Sequence, residues 1–190
     1  IGAVVAVIVV IVVLLVVLPM FTSPSYPISS SDLTAVYGGT WTVLNNESGK
    51  VTFSSSGVTV SFFNGTTKTE PYSNFSFSFP FSASPSEVSE MIFVTFSYNG
   101  TSIGHGYISE VVIFPKSGTT LYNELTSLTK SNFTTCFHVF NVNQNGNIIY
   151  GYSSFYAFEV IVNKANGEVV ELFGLPKIDS SIAAQLASYV

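Results

Sequence analysis

The chain opens on a run with no polar side chain. Ile1 to Leu18 are all Val, Ile, Leu, Ala or Gly, the run stops at Pro19, and no charge appears before Asp32. As an α-helix eighteen residues span roughly 27 Å at ~1.5 Å per residue, close to a bilayer's hydrocarbon thickness. As one strand they would run roughly 60 Å at ~3.3 Å each, far beyond ordinary strands. The length therefore predicts a helix, and the Val/Ile content leaves a shorter donated strand open as the alternative. Gly2 and Ala6, with Ala3 beside them, would line one side of that helix and allow close approach of a neighbour. Pro19 to Ser31 read as a linker, with Pro19, Pro24 and Pro27 as hinge positions that interrupt any helix.

From Asp32 to Val190 period-two alternation takes over. Val51 and Phe53, a Ser54–Gly57 turn, then Val58, Val60 and Phe62 predict a hairpin. Phe75, Phe77, Phe79 and Phe81 alternate with polar residues and Pro80. Further strands are predicted over Ile92–Tyr98, Tyr107–Phe114, Cys136–Val142, Ile148–Tyr150, Phe155–Val162 and Glu168–Phe173, the last two joined by a loop ending at Gly167. Two helices are predicted, Thr120–Lys130 with Leu121, Leu125 and Leu128 on one face, and Ser180–Tyr189 with Asp179 or Ser180 as its cap. Eight to ten short strands with turns between them predict an immunoglobulin-like β-sandwich. The expected organisation is an assembly helix at 1–18, a linker at 19–31 and a mainly-β extracellular domain at 32–190.

Composition narrows the function. Charged residues make up 9% of the chain, against ~25% in ordinary globular domains. Six Lys, no Arg and eleven Asp or Glu give a net charge of −5, with no basic stripe to neutralise phosphates, so nucleic acid is not an expected partner. Low charge with abundant hydroxyls and amides fits an exterior surface, one that works in acid, where the eleven carboxylates would be neutral and few charges would remain to repel one another. One cysteine, Cys136, excludes an intrachain disulfide.

No Gly-x-Gly-x-x-Gly, Gly-x-Ser-x-Gly, His-Glu-x-x-His or phosphate-loop pattern occurs. Cys136 and His138 would share one face of a strand, but no further ligands complete a metal site. Glu87 and Glu90 would share a helical face. Glu168 and Glu171, three apart on a strand, would point to opposite faces. The expectation is a chain without enzymatic activity, cofactor or metal. Five Asn-x-Ser/Thr sequons, Asn46, Asn64, Asn74, Asn99 and Asn132, make N-linked glycans the expected modification, against about three sequons by chance for this composition.

The N-terminal run also carries a resemblance. Ile1-Gly2-Ala3-Val4-Val5-Ala6-Val7-Ile8-Val9-Val10, continuing through Ile11-Val12-Val13-Leu14-Leu15-Val16-Val17-Leu18 and followed by a β-rich, Ser/Thr/Asn-rich domain, resembles the archaeal type IV pilins and the related archaellum filament subunits. The resemblance implies a precursor whose short basic leader is removed by a prepilin peptidase, which suits a chain that begins at Ile1. It implies an apolar helix held in the membrane before assembly and then packed in a homopolymer. The outer domain would meet surfaces or other cells. Bacterial pilins usually carry Glu at the fifth mature position; Val5 departs from them and tilts the resemblance toward archaea. The alternatives from the residues alone are a filament completed by strand donation and a membrane-anchored surface protein.

Overall fold

The computed structural model of the chain describes residues 26–72, 85–99, 106–137, 140–152, 156–163 and 167–190. The elements in chain order are α1 (Ser30–Tyr37), β1 (Thr40–Val43), β2 (Gly49–Ser54), β3 (Gly57–Phe62), β4 (Thr67–Glu70), a 3₁₀ turn at Pro85–Glu87, β5 (Val88–Asn99), β6 (Tyr107–Pro115), α2 (Thr120–Thr126), α3 (Lys130–Phe137), β7 (Phe140–Asn145), β8 (Ile148–Tyr152), β9 (Ala157–Asn163), β10 (Glu168–Leu175) and α4 (Ser180–Ala187). The ten described strands join one antiparallel sheet in the order β4-β3-β2-β5-β6-β10-β9-β8-β7, with β1 also paired to β5.

β5 organises one half of this sheet. Along one side it pairs with β6; along the other it meets β2 at Glu90–Phe93 and β1 at Phe96–Asn99, end to end. Thr95 falls opposite the gap between those two strands. Its carbonyl accepts the Leu44 N–H at 2.9 Å, its N–H donates to the Ser48 hydroxyl at 2.9 Å, and its own hydroxyl donates to the Glu47 carbonyl at 3.0 Å. Buried Ser48 thus keeps the ladder satisfied where no backbone partner is available.

Helices cover both faces of the central part of the sheet, while the β4 edge is largely exposed. Leu33 of α1 and Ile182, Ala183 and Leu186 of α4 pack on one face with Ile92, Val94, Phe96, Ile108, Val112, Ile161, Val170 and Leu172. Leu121 and Leu125 of α2 and Phe133 of α3 pack on the other with Ile113, Ile149, Phe158, Val160, Val162 and Val169. Residues 157 to 162 of β9 are all buried, so the strand loses the in–out alternation of a half-exposed sheet. α1 carries a capping box, the Ser29 hydroxyl receiving the Asp32 N–H while the Asp32 carboxylate receives the Ser29 N–H at 2.8 Å. At α4 the Asp179 carboxylate accepts the Ser181 and Ile182 N–H groups, each at 2.9 Å.

The expected fold class is corrected by this architecture. The immunoglobulin-like sandwich would need two facing sheets; here the strands ladder into one, and short helices supply the second layer on each face. The physical reason lies in runs such as Val111-Val112-Ile113, Val160-Ile161-Val162 and Val169-Val170, which are apolar on consecutive residues and demand cover on both sides. The expectation of a long apolar helix at the head of the fold is not met among the described residues: their longest helices have eight residues, and none is long and apolar enough to cross a membrane. Ile1 to Leu18 themselves lie outside the described residues.

Smaller differences follow from the same comparison. The helix expected over Thr120–Lys130 ends at Thr126, with Ser127 as its cap and its N–H bonded back to the Asn123 carbonyl at 3.1 Å, and a separate helix starts at Lys130. The strand expected from Cys136 starts only at Phe140, because Cys136 sits in α3; the strand pairing of Cys136 with His138 therefore fails. Glu87 and Glu90 fall in a 3₁₀ turn and in β5, not on one helix. The linker ends earlier than Ser31, since Ile28 is fully buried and Ser30 and Ser31 are helical. The expected strand around Phe75–Phe81, together with His105 and His138, lies outside the described residues.

Candidate functional site

The first described residue, Tyr26, marks where the N-terminal region meets the domain. Its ring stacks on Phe63 with centroids 6.0 Å apart and stands edge-on to Phe96 at 6.1 Å. Pro27 follows, and then Ile28, whose side chain is buried and whose N–H donates to Glu110 Oε1 at 3.0 Å. The joint is therefore an aromatic contact, an anchored apolar side chain and one buried hydrogen bond, followed at once by the capped start of α1. Of the hinge prolines, Pro19 and Pro24 lie outside the described residues, as does the proposed polymerisation segment.

Glu110 belongs to a set of three buried acids with Glu159 and Glu171, of which only Glu171 stands out in the sequence, as the strand neighbour of Glu168. Val94, Glu110, Leu172, Glu159 and Tyr150 are successive register partners across β5, β6, β10, β9 and β8, so the two glutamates share the face beneath α1 and α4 with Leu172 between them. Glu171 lies on the opposite face, in the row Phe93–Val111–Glu171–Val160–Ile149. All three are buried, and Glu110 Oε2 and both carboxyl oxygens of Glu159 have no hydrogen-bond partner among the described residues.

A carboxylate without a counter-charge is costly in such a place, so the neutral acid is favoured. Burial pushes Glu110 up to about 8, partly opposed by the Ile28 N–H and assisted by the negative charge of Asp32. Burial pushes Glu159 up to about 9 and Glu171 up to about 7. Burial, then Glu110, raises Tyr26, and burial, then Glu159, raises Tyr37 well above the usual phenol range. Tyr37 donates its hydroxyl to the Lys177 carbonyl at 3.0 Å. The sequence signal for two of these acids is a Glu flanked by apolar residues, Phe158-Glu159-Val160 and Val170-Glu171-Leu172; Glu110 follows Ser109 and leads into Val111-Val112-Ile113.

The sequons divide by geometry. Asn64 and Thr66 are exposed at the β3–β4 turn, and the Asn64 side-chain carbonyl accepts both the Thr66 N–H at 2.9 Å and the Thr66 hydroxyl at 2.7 Å. Asn46 is exposed, but the hydroxyl of its sequon is the buried Ser48 that holds Thr95. Asn99 is exposed at the end of β5, Asn132 lies in α3, and Asn74 falls outside the described residues.

A groove of about 570 Å³ runs between α4 and the β8–β9 strands, lined by Ile148, Ile161, Ala184, Ala187 and Val190 with Asn147 at its rim. No titratable side chain lines it, so it offers no general acid or base. Among the described residues no group of three or more His, Cys, Asp or Glu is placed to hold a metal ion. The ion pairs Lys50–Glu90 and Lys68–Glu70 stand on the β2–β4 wing, away from the buried acids. No family model, curated protein or solved structure matches this chain.

Proposed function

We propose that the chain is the structural, non-enzymatic subunit of an extracellular, archaeal type IV pilus-like filament, polymerising through the apolar segment Ile1–Leu18 and serving adhesion or cell–cell contact. The observation that carries this reading is the segment itself: eighteen residues without a polar side chain, joined by a Pro/Ser-rich stretch to a mainly-β domain with helices on both faces of its central strands. A segment of that composition has to be covered, and packing against identical segments of neighbouring subunits covers it. Burial of ~100–150 Å² per residue at ~25 cal/mol per Å² amounts to tens of kcal/mol before entropic costs, enough to drive a membrane-held precursor into a polymer.

Negative-stain microscopy of the purified full chain is expected to show filaments. A variant lacking residues 1–18 is expected to stay monomeric with its β-sheet circular dichroism intact. Detergent-soluble monomers from the full chain would instead favour a membrane anchor. Filaments from the truncated variant would remove the segment from the assembly.

N-linked glycans on the outer domain belong to the same proposal, and the geometry ranks their sites. A sequon is read through the hydroxyl at its third position, which must be reachable. Glycopeptide mapping is expected to find Asn64 occupied and Asn46 bare, because Thr66 is exposed while Ser48 is buried. Glycan on Asn46 with Asn64 unmodified would contradict that ranking.

A further inference from the structure

We propose that the Glu110 carboxyl is a pH-dependent latch on the joint between the N-terminal region and the domain, holding Ile28 against the sheet while neutral and releasing residues 26–29 once it ionises. The geometry makes ionisation and closure compete. Glu110 sits at the centre of the sheet with Val94 and Leu172 as its lateral neighbours. Its Oε1 has one donor, the Ile28 N–H, and its Oε2 has none among the described residues. A carboxylate there needs several donors or water. Ile28, Tyr26 and Asp32 of α1 are the groups beside it, on the buried face of the sheet, so lifting this segment is the local route by which water reaches the carboxyl.

The charged group that acts on Glu110, Asp32, disfavours its ionisation. From α1, the Asp32 carboxylate repels a second negative charge at Glu110, and in the segment before α1 the Tyr26 phenol is raised by burial and then by Glu110. Along the sheet the next acid in the row is Glu159, beyond Leu172, and it adds no positive charge. No Lys or His compensates Glu110 among the groups acting on it.

The linkage has a definite sign. In the open joint the carboxyl titrates near its ordinary 4.5, and in the closed joint near 8. Below about 4.5 both states are protonated and the closed joint keeps its full advantage. As pH rises from there to about 8 the opening equilibrium grows by up to tenfold per pH unit, and above that it levels off. The consequence for a filament, a domain that swings more freely on its assembly segment in alkali, rests on the proposed function. The latch itself does not.

Hydrogen exchange on the full chain, with filament formation scored separately by microscopy, tests it. After correction for intrinsic exchange, the Ile28 amide and the α1 amides are expected to lose protection by at least tenfold between pH 5 and pH 8, while amides of β6 and β10 hold theirs. Glu110→Gln, which keeps an acceptor for Ile28 and cannot ionise, is expected to flatten that dependence. Should this variant fold poorly, Asp32→Asn serves instead, moving the upper limit of the opening transition to lower pH while an amide oxygen still receives the Ser29 N–H. Protection at Ile28 that is independent of pH, an equal loss in β6 and β10, or an unchanged slope in the folded Gln variant would overturn the latch. Absence of filaments alongside a pH-dependent Ile28 would overturn the polymer reading and leave the latch standing.

Discussion

Denaturant titrations of the full chain are expected to show the domain losing at least about 3 kcal/mol of stability as pH rises from about 5 to about 9. Glu159 and Glu171 alone carry this expectation, from opposite faces of the sheet. Burial raises their folded-state values to about 9 and about 7, against 4.5 for an ordinary glutamate. Below 4.5 folded and unfolded chains both bind these protons, and the stability is complete. Between 4.5 and the raised values the native state holds protons the unfolded chain releases, so stability falls with pH. Above about 9 both acids are ionised in either state, and the loss is constant. Two pKa units in all, at ~1.4 kcal/mol each, already give the figure stated, which allows generously for water reaching the ionised sites. Glu159→Gln and Glu171→Gln are each expected to flatten part of the slope. A stability maximum at or above neutrality would refute the argument.

The acid side of that profile is expected to be shallow. Acid unfolding ordinarily follows from protonating carboxylates that are ion-paired in the native state. Here the described ion pairs, Lys50–Glu90 and Lys68–Glu70, are part-exposed pairs on the sheet's outer wing, where such contacts contribute ~1 kcal/mol or less. The scarcity of charge in the sequence and the buried neutral acids in the fold thus agree on one condition of use. With its described ion pairs part-exposed and several buried protons to keep, the domain is best folded in acid, and we take this as the physical content of its unusual composition.

How far the pattern of the chain could be read depended on the depth of each element. The β2–β3 hairpin and α4 were legible because each shows its period and its punctuation, Ser54–Gly57 and the Asp179 cap; β9–β10 was legible from two β-branched apolar runs either side of a loop ending at Gly167. The sheet as a whole was not. Alternation in β2, β3 and β5 reads as strands of a sandwich, and nothing local says that β6, β10 and β9 are instead sheathed by helices on both sides. The clue was the consecutive apolar residues in those three strands, which a half-exposed sheet has no use for. α1 was hidden inside an apparent linker because Pro and Ser dominate the stretch, although Ser29-x-x-Asp32 is a helix-start signal. The buried acids were hidden because a Glu in a strand ordinarily faces water, and only tertiary cover reverses that.

The same double cover makes Phe158→Ala the most damaging single truncation we expect in the core. Phe158 is fully buried in β9 and stacks on Phe133 of α3, with ring centroids 4.9 Å apart and planes inclined by 26°. The pair ties α3 to the sheet at a point where the helix has eight residues and no acidic side chain in its first turn to favour its N-terminus. Removing the ring leaves a cavity under α3 and is expected to cost ~3–5 kcal/mol, a large share of the ~5–15 kcal/mol that stabilises an ordinary domain. Tyr107→Ala, at a side chain 59% exposed, is the matched comparison and is expected to stay within ~0.5 kcal/mol of the parent. Truncating Phe133 as well should cost less than the sum of the single changes, because the stacked contact, worth ~0.5–1.5 kcal/mol beyond area burial, is lost only once. Equilibrium denaturation at about pH 5, where the buried acids are neutral, isolates this packing term from the proton linkage. A loss below ~1 kcal/mol for Phe158→Ala would mean that α3 contributes little to the domain and that the second face of the sheet is held by α2 and its leucines instead.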